Sequence, residues 1–482
     1  MIFNQKTMKF TYKLGLTLLF AAFMTIACND FGDINISPNN PAKPNSAGLL
    51  TDAMTTIGGV ATAVVPSLYT QQLGDVTYIE ESRYKTVNFD YSGFYTGPLN
   101  GLQLVIKLNT DAATKITAAA NGSNANQIAT ARIVKAFLYL IMTDRWGDIP
   151  YSGALKGKEN FSPAFDKQQD IYADLFKELK EAQAQFDGGD HVVGDILFGG
   201  DTGHWKKFAN TLRAIMALRL SKVDPAKGKT EFVAALADGV FSANADNAQY
   251  HFLADAVYQH PIFSNYIVEN RKDYAVSNVM IGTLERLHDP RLPAFADQAA
   301  ATKTYQGVPY GVFPPTWSAQ EVSLIATSVR EQDSPANILT YAQLLFAKAE
   351  AAKMGWITGN PKTFYEDAIK ASLQQWDVYT AADFAAYIAQ PTVAYSDAKA
   401  LELIGTQRWL ALYFQAYESW AEWRRTGFPV LTPPVKALNV SGKIPRRMAY
   451  PTSEATLNKA NYEAVVARQG ADVQETRVWW DK

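Results

Sequence analysis

Apolar positions along this chain fall into two regimes, helically spaced runs and irregular stretches with no period. Residues 128–142 are apolar nearly all round, the pattern of a helix buried on every side. Farther on, Trp205, Phe208, Leu212, Ile215 and Met216 recur at spacings of three and four, with Lys206, Lys207 and Arg213 expected on the other face. Asp201 and Thr202 stand where an N-cap belongs. Two more helices are predicted over 340–354 and 363–376, joined by a turn holding Gly355, Gly359 and Pro361. The second carries Tyr365, Ala368, Ile369 and Trp376 on one face. A long helix over 399–424 aligns Trp409, Leu412, Tyr413, Ala416, Trp420 and Trp423 in one stripe. Such stripes are scaffold first, because burying aromatic area is what a core requires.

The segments between the helices, residues 66–101, 146–166, 187–203, 251–278 and 303–337, are rich in Gly, Pro, Asn and Tyr. Loops of this length usually carry function. No run of βαβ units and no dividing linker is visible, so the expectation is a mostly α fold of helix pairs supporting long irregular loops. The pair at 340–376, with Tyr-x-x-Ala in its second arm, resembles a degenerate tetratricopeptide repeat.

The N-terminal pattern is different again. After Lys9 and Lys13, residues 14–27 are almost wholly apolar and stop at Cys28. That run is shorter than the ~20 residues a bilayer span needs, and has the length of a signal-peptide core. With Ala27 before the cysteine this is a lipobox, although Thr25 stands where Leu or Val is commoner. The expected organisation is a signal peptide over 1–27, a flexible tether over 28–48 after a lipidated Cys28, and one α-helical domain over 49–482. The tether is predicted from its Asn, Pro, Gly and Ser.

Composition narrows the function. Cys28 is the one cysteine, so neither an internal disulfide nor a cysteine-based metal site can form. The chain carries 45 Lys and Arg against 47 Asp and Glu, and loss of Lys6, Lys9 and Lys13 with the leader makes it more acidic. Nucleic-acid binding, which needs a basic face, is disfavoured. The five His residues (191, 204, 251, 260, 288) are scattered without an HExxH pair, and GxSxG and GxxxxGK[ST] are missing. Glu80 and Glu81 are adjacent and diverge in a regular element. No catalytic residue, metal or cofactor is expected.

Several blocks together resemble the SusD/RagB family of nutrient-binding lipoproteins. They are DRWGDIPY at 144–151, FGGDTGHWKKFANTLRAIMALRLS at 198–221, ILTYAQLLFAKAEAAKMGW at 338–356, QRWLALYFQAYESWAEWRRTGFP at 407–429 and IPRRMAYPTSEATLN at 444–458, ending in VWWD. Gln343 replaces the Glu of the family's YAE. The resemblance implies a SusD-like helical fold, an outer-membrane, lipid-anchored and cell-surface location, and a SusC-like TonB-dependent barrel as partner. The ligand it implies is a glycan or oligosaccharide first, a peptide second.

Asp144, Arg145, Asp148, Arg424 and Arg425 read as scaffold, capping and pairing at helix ends. Ligand candidates are sought on the loops, where sugar C–H faces stack on aromatic planes and amides or guanidinium groups bond hydroxyls. One cluster is Tyr78, Arg83, Tyr84, Tyr91, Phe94, Tyr95 and Asn100. A second is Tyr305, Tyr310, Phe313 and Trp317, with Trp317 the first choice. The third is Tyr258, Asn265, Tyr266 and Arg271. A surface hydrolase and a tetratricopeptide-type adaptor are the rival readings.

Overall fold

The strongest apolar run becomes the 23-residue helix Asn124–Trp146 in the computed structural model, which describes residues 44–482. As predicted, it is buried on nearly every side, with Ile133, Leu138, Leu140 and Met142 sealed from solvent. It packs against the helices Asn100–Thr110 and Gln168–Gln185. It ends at Gly147, whose φ of +83° lets the chain leave the helix while its N–H still reaches the Thr143 carbonyl at 2.7 Å. Helix Thr202–Arg219 starts as expected, the Asp201 carboxylate accepting from the N–H groups of Gly203 and His204.

Tyr341–Lys353 and Pro361–Gln375 form the predicted helix–turn–helix pair and pack on each other, capped by Thr340 and Asn360, with Pro361 in the first helical turn. This pair is the centre of a second hydrophobic cluster containing Trp409, Tyr413 and Phe295. The fold class is thus mostly α, with three short two-stranded sheets.

Several expectations are corrected. The stripe over 399–424 is two helices, Ala400–Ala411 and Ala416–Thr426, with Phe414 at φ +58° between them. The break turns Tyr413 onto Phe295, ring centroids 4.3 Å apart, and lets its hydroxyl donate to the Phe295 carbonyl. A spacing pattern cannot reveal this, because four residues of turn preserve the phase of the stripe. Arg213 is fully buried rather than turned outward, and it pairs with Asp238 at 2.6 Å. Among the described residues the first helix opens at Ser46, inside the tether expected over 28–48. Segment 66–101 holds the short helix Val64–Tyr69, a strand and helical turns from Ser92 onward. The leader, Cys28 and most of the expected tether lie outside the described residues.

The conspicuous charged motifs are scaffold by burial. Asp144 accepts from Tyr172 and Trp480 and pairs with Arg219 at 2.9 Å. Arg424 lies over Trp420 and donates to the Asp144 carbonyl, linking residues 280 positions apart. Arg425 grips Glu350 with two bonds of 2.6 Å, and Glu350 also meets Arg408 at 3.0 Å. The amide of Gln343, by contrast, is buried without a hydrogen-bond partner among the described residues.

Candidate ligand-binding site

Strand Leu73–Asp75 pairs antiparallel with Tyr274–Val276, Gly74 facing Ala275 across the register. This small sheet is an assembly point for loops. The Val308 N–H donates to the Val276 carbonyl and the Val276 N–H to Ser323, tying in residues 303–323. A side chain at Gly74 would come within 2.8 Å of Val308, so the close approach requires glycine. From the other edge, the Leu438 N–H donates to the Arg83 carbonyl and the Gln71 amide to Thr432, bringing in residues 430–438. Parts of all three sequence-predicted clusters therefore meet around one sheet.

Between these loops lies a groove of about 400 Å³, lined by Asn278, Tyr310, Phe313 and the stretch Leu431–Lys436. Phe313, 48% exposed, is its most accessible aromatic ring. The Arg83 guanidinium sits 4.9 Å from the centre of that ring and the Lys436 ammonium 5.7 Å away. Arg83 is held there because its Nε donates to the Lys436 carbonyl at 2.7 Å. Nearby in sequence, Tyr78 is 62% exposed with the Arg271 guanidinium 5.8 Å from its ring, and Arg271 is oriented by Asp273 at 2.8 Å.

The other candidates separate by burial. Tyr84, Tyr91, Tyr266 and Tyr310 are corrections, since each is buried with its ring committed to the interior. Tyr84 packs edge-on to Tyr69, and the Tyr91 hydroxyl donates to Glu454. The Tyr266 hydroxyl donates to the Tyr274 carbonyl, and Tyr310 donates to Leu68, its ring forming groove wall only. Phe94, Tyr95 and Asn100 belong to helical turns on another part of the fold, with Tyr95 donating to Pro150 and Phe94 beside Arg145. Asn265 braces Asp273, while Tyr258 is exposed on its own loop. Tyr305 and Trp317 are half-buried, Trp317 against Val76, Ala275, Val308 and Val322. Sequence reasoning missed Gln71 and residues 430–436; the pair Pro433–Pro434 beside Val430 and Val435 was the available signal.

Burial pushes the Asp75 carboxyl up to about 7, against the hydrogen bonds from Ser82 that favour its ionised form. Glu81 is also raised, chiefly by burial. Asp75 and Glu81 thus hold their protons more tightly than exposed carboxyls do, and Arg83, Lys436 and Arg271 bring basic side chains to the rim. Among the described residues no group of three or more His, Cys, Asp or Glu could hold a metal ion. Exposed rings flanked by guanidinium and amide donors can stack against a sugar face and bond its hydroxyls.

A family model described as starch-binding and associating with the outer membrane, SusD-like, matches residues 38–451. Among solved structures, a chitin-binding protein is 30% identical at TM-score 0.80, covering 91% of this chain and 100% of its own. A Bacteroidetes SusD-like protein is 26% identical at TM-score 0.78, with 91% and 100% covered. A chitin-binding SusD homologue from Flavobacterium johnsoniae is 25% identical at TM-score 0.74, with 91% and 98% covered. No curated protein matches the chain.

Proposed function

The chain belongs to the SusD/RagB family, and from that premise we propose that it is a surface lipoprotein that captures a chitin-type oligosaccharide in the groove beside Phe313. It hands the ligand to a SusC-like TonB-dependent barrel. The family as a whole supports nutrient binding, and two relatives described as chitin-binding support the ligand class. The observation that carries the reading is the half-exposed Phe313 ring between Arg83 and Lys436, at a meeting point of four loop segments.

Affinity there comes mainly from stacking, at about 25 cal/mol per Å² of apolar surface removed from water. Hydroxyl bonds exchange water for protein at small net gain. Titration of the purified chain with chitohexaose is the test. Phe313→Ala should weaken binding at least fivefold with little change in thermal stability. A variant that binds as tightly as the wild type would remove the groove from the reading, and release of shorter sugars during incubation would make the protein a hydrolase.

A further inference from the structure

Lys135, on helix Asn124–Trp146, is half-buried and has no carboxylate within ion-pair distance among the described residues; its ammonium donates to the Gln103 amide oxygen at 2.7 Å. Beside it, the Tyr139 hydroxyl bonds to no described residue and opens onto the pocket, although the residue as a whole is only 2% exposed. Both line a pocket of about 360 Å³ between this helix, helix Gln168–Gln185 and the loop at residues 151–156. The pocket shares no residue with the Phe313 groove.

Its walls are predominantly polar, unlike a drug-type apolar pocket. Asp174 accepts from the Tyr151 hydroxyl at 2.7 Å and retains acceptor capacity; the Tyr151 ring is half-exposed at the pocket wall. Donors and acceptors therefore alternate around a space with an aromatic wall. Charge is balanced: Arg132 is held by Glu178 and Glu181, and Lys135 and Lys156 stand opposite Asp174. Leu155 stands at one side at φ +60°, a conformation rare for a leucine.

We infer that this pocket is a second binding site, for a single neutral sugar ring, whose hydroxyls meet Lys135, Tyr139 and Asp174. A hydroxyl open to the pocket and an ammonium with donor capacity beyond its bond to Gln103, beside a free carboxylate oxygen, match vicinal hydroxyls, each of which both donates and accepts. With Arg132 held by Glu178 and Glu181, the remaining Lys135 and Lys156 already stand against Asp174, so an acidic sugar would add a carboxylate to a lining whose charges are balanced without it.

The test is saturation-transfer NMR of the intact chain with glucose, galactose and N-acetylglucosamine, with glucuronate as the anionic control. At least one neutral sugar should bind, and Tyr139→Phe and Lys135→Gln should each weaken it at least fivefold; N-acetylglucosamine, a unit that the Phe313 groove would also take, is read in the Phe313→Ala background. Tyr139→Phe keeps the ring in the core, so a folded variant is secured. The site is refuted if none of the three sugars binds, if neither variant weakens binding, or if only Phe313→Ala does. Glucuronate binding more than tenfold tighter than the neutral sugars refutes the ligand class. Loss of chitohexaose binding on Phe313→Ala reports on the groove alone, so the two sites fail independently.

Discussion

The Arg83 guanidinium rests 4.9 Å from the centre of the Phe313 ring, joining an early loop to one 230 positions later. A cation held over an aromatic face contributes ~0.5–1 kcal/mol where exposed, and here it also orients a ring that is half open to solvent. Neither residue belongs to a periodic element. Their pairing exists because the sheet at Leu73–Asp75 and Tyr274–Val276 gathers the loops that carry them.

The two tryptophans of contrasting context should respond differently to truncation. Trp409 is 2% exposed and its indole N–H donates to the Thr70 carbonyl at 3.0 Å. Trp409→Ala should cost roughly 3–5 kcal/mol of stability, seen in urea unfolding, with chitohexaose affinity retained by the folded fraction. Trp317→Ala removes a half-buried ring from a small cluster packed beside the sheet that gathers the groove's loops, so it should lower both stability, by roughly 1–2 kcal/mol, and affinity. Loss of affinity alone would place the ring outside the packing described.

The buried charges at Glu350 make a second test. Glu350 is held by Arg425 and Arg408, and those guanidinium groups keep its carboxyl below the usual range despite burial. Glu350→Gln leaves two buried cations short of a partner, a loss of about 3–5 kcal/mol. Urea midpoints should fall accordingly; an unchanged midpoint would mean that Glu422 alone neutralises both arginines.

Asp75 predicts a pH dependence of the opposite sign to an ion-paired acid. Its folded value near 7 lies above the unfolded value of about 3.9, so the native state binds the extra proton. The stability associated with the neutral form is complete below about pH 4 and is lost as pH rises toward 7. Asp75→Asn, which keeps an acceptor for the Ser82 N–H, should raise the melting temperature relative to wild type at pH 8 and hardly at all at pH 4. Equal differences at both values would show that the carboxylate is well solvated.

The anchor and partner are tested in cells. Cys28→Ser should move the protein from the detergent phase to the aqueous phase, since each buried CH₂ of an acyl chain contributes ~0.8 kcal/mol. Protease shaving of whole cells should remove the wild-type protein. Gentle solubilisation should recover one large outer-membrane barrel with it. A serine variant retained by the membrane, or recovery of the wild type alone in several mild detergents, counts against this part of the reading.

By itself the sequence determined the mostly α class, the buried helix read over 128–142 and found over Asn124–Trp146, the Asp201 cap, and the helix pair read over 340–354 and 363–376. In those segments backbone geometry fixes which positions share a face, so burial is written in the spacing. It also read three aromatic clusters as loop residues, of which Phe94, Tyr95, Asn100 and Tyr266 fall in helical turns. Only the tertiary structure decided that Tyr84, Tyr91, Tyr266 and Tyr310 turn inward while Tyr78 and Phe313 remain open. It alone broke the stripe at Phe414, buried Arg213 and brought residues 430–436 against Arg83. An irregular loop has no period, and the face each side chain takes is set by hydrogen bonds to segments hundreds of residues away. Tyr310 donating to Leu68 across 242 positions is one such bond.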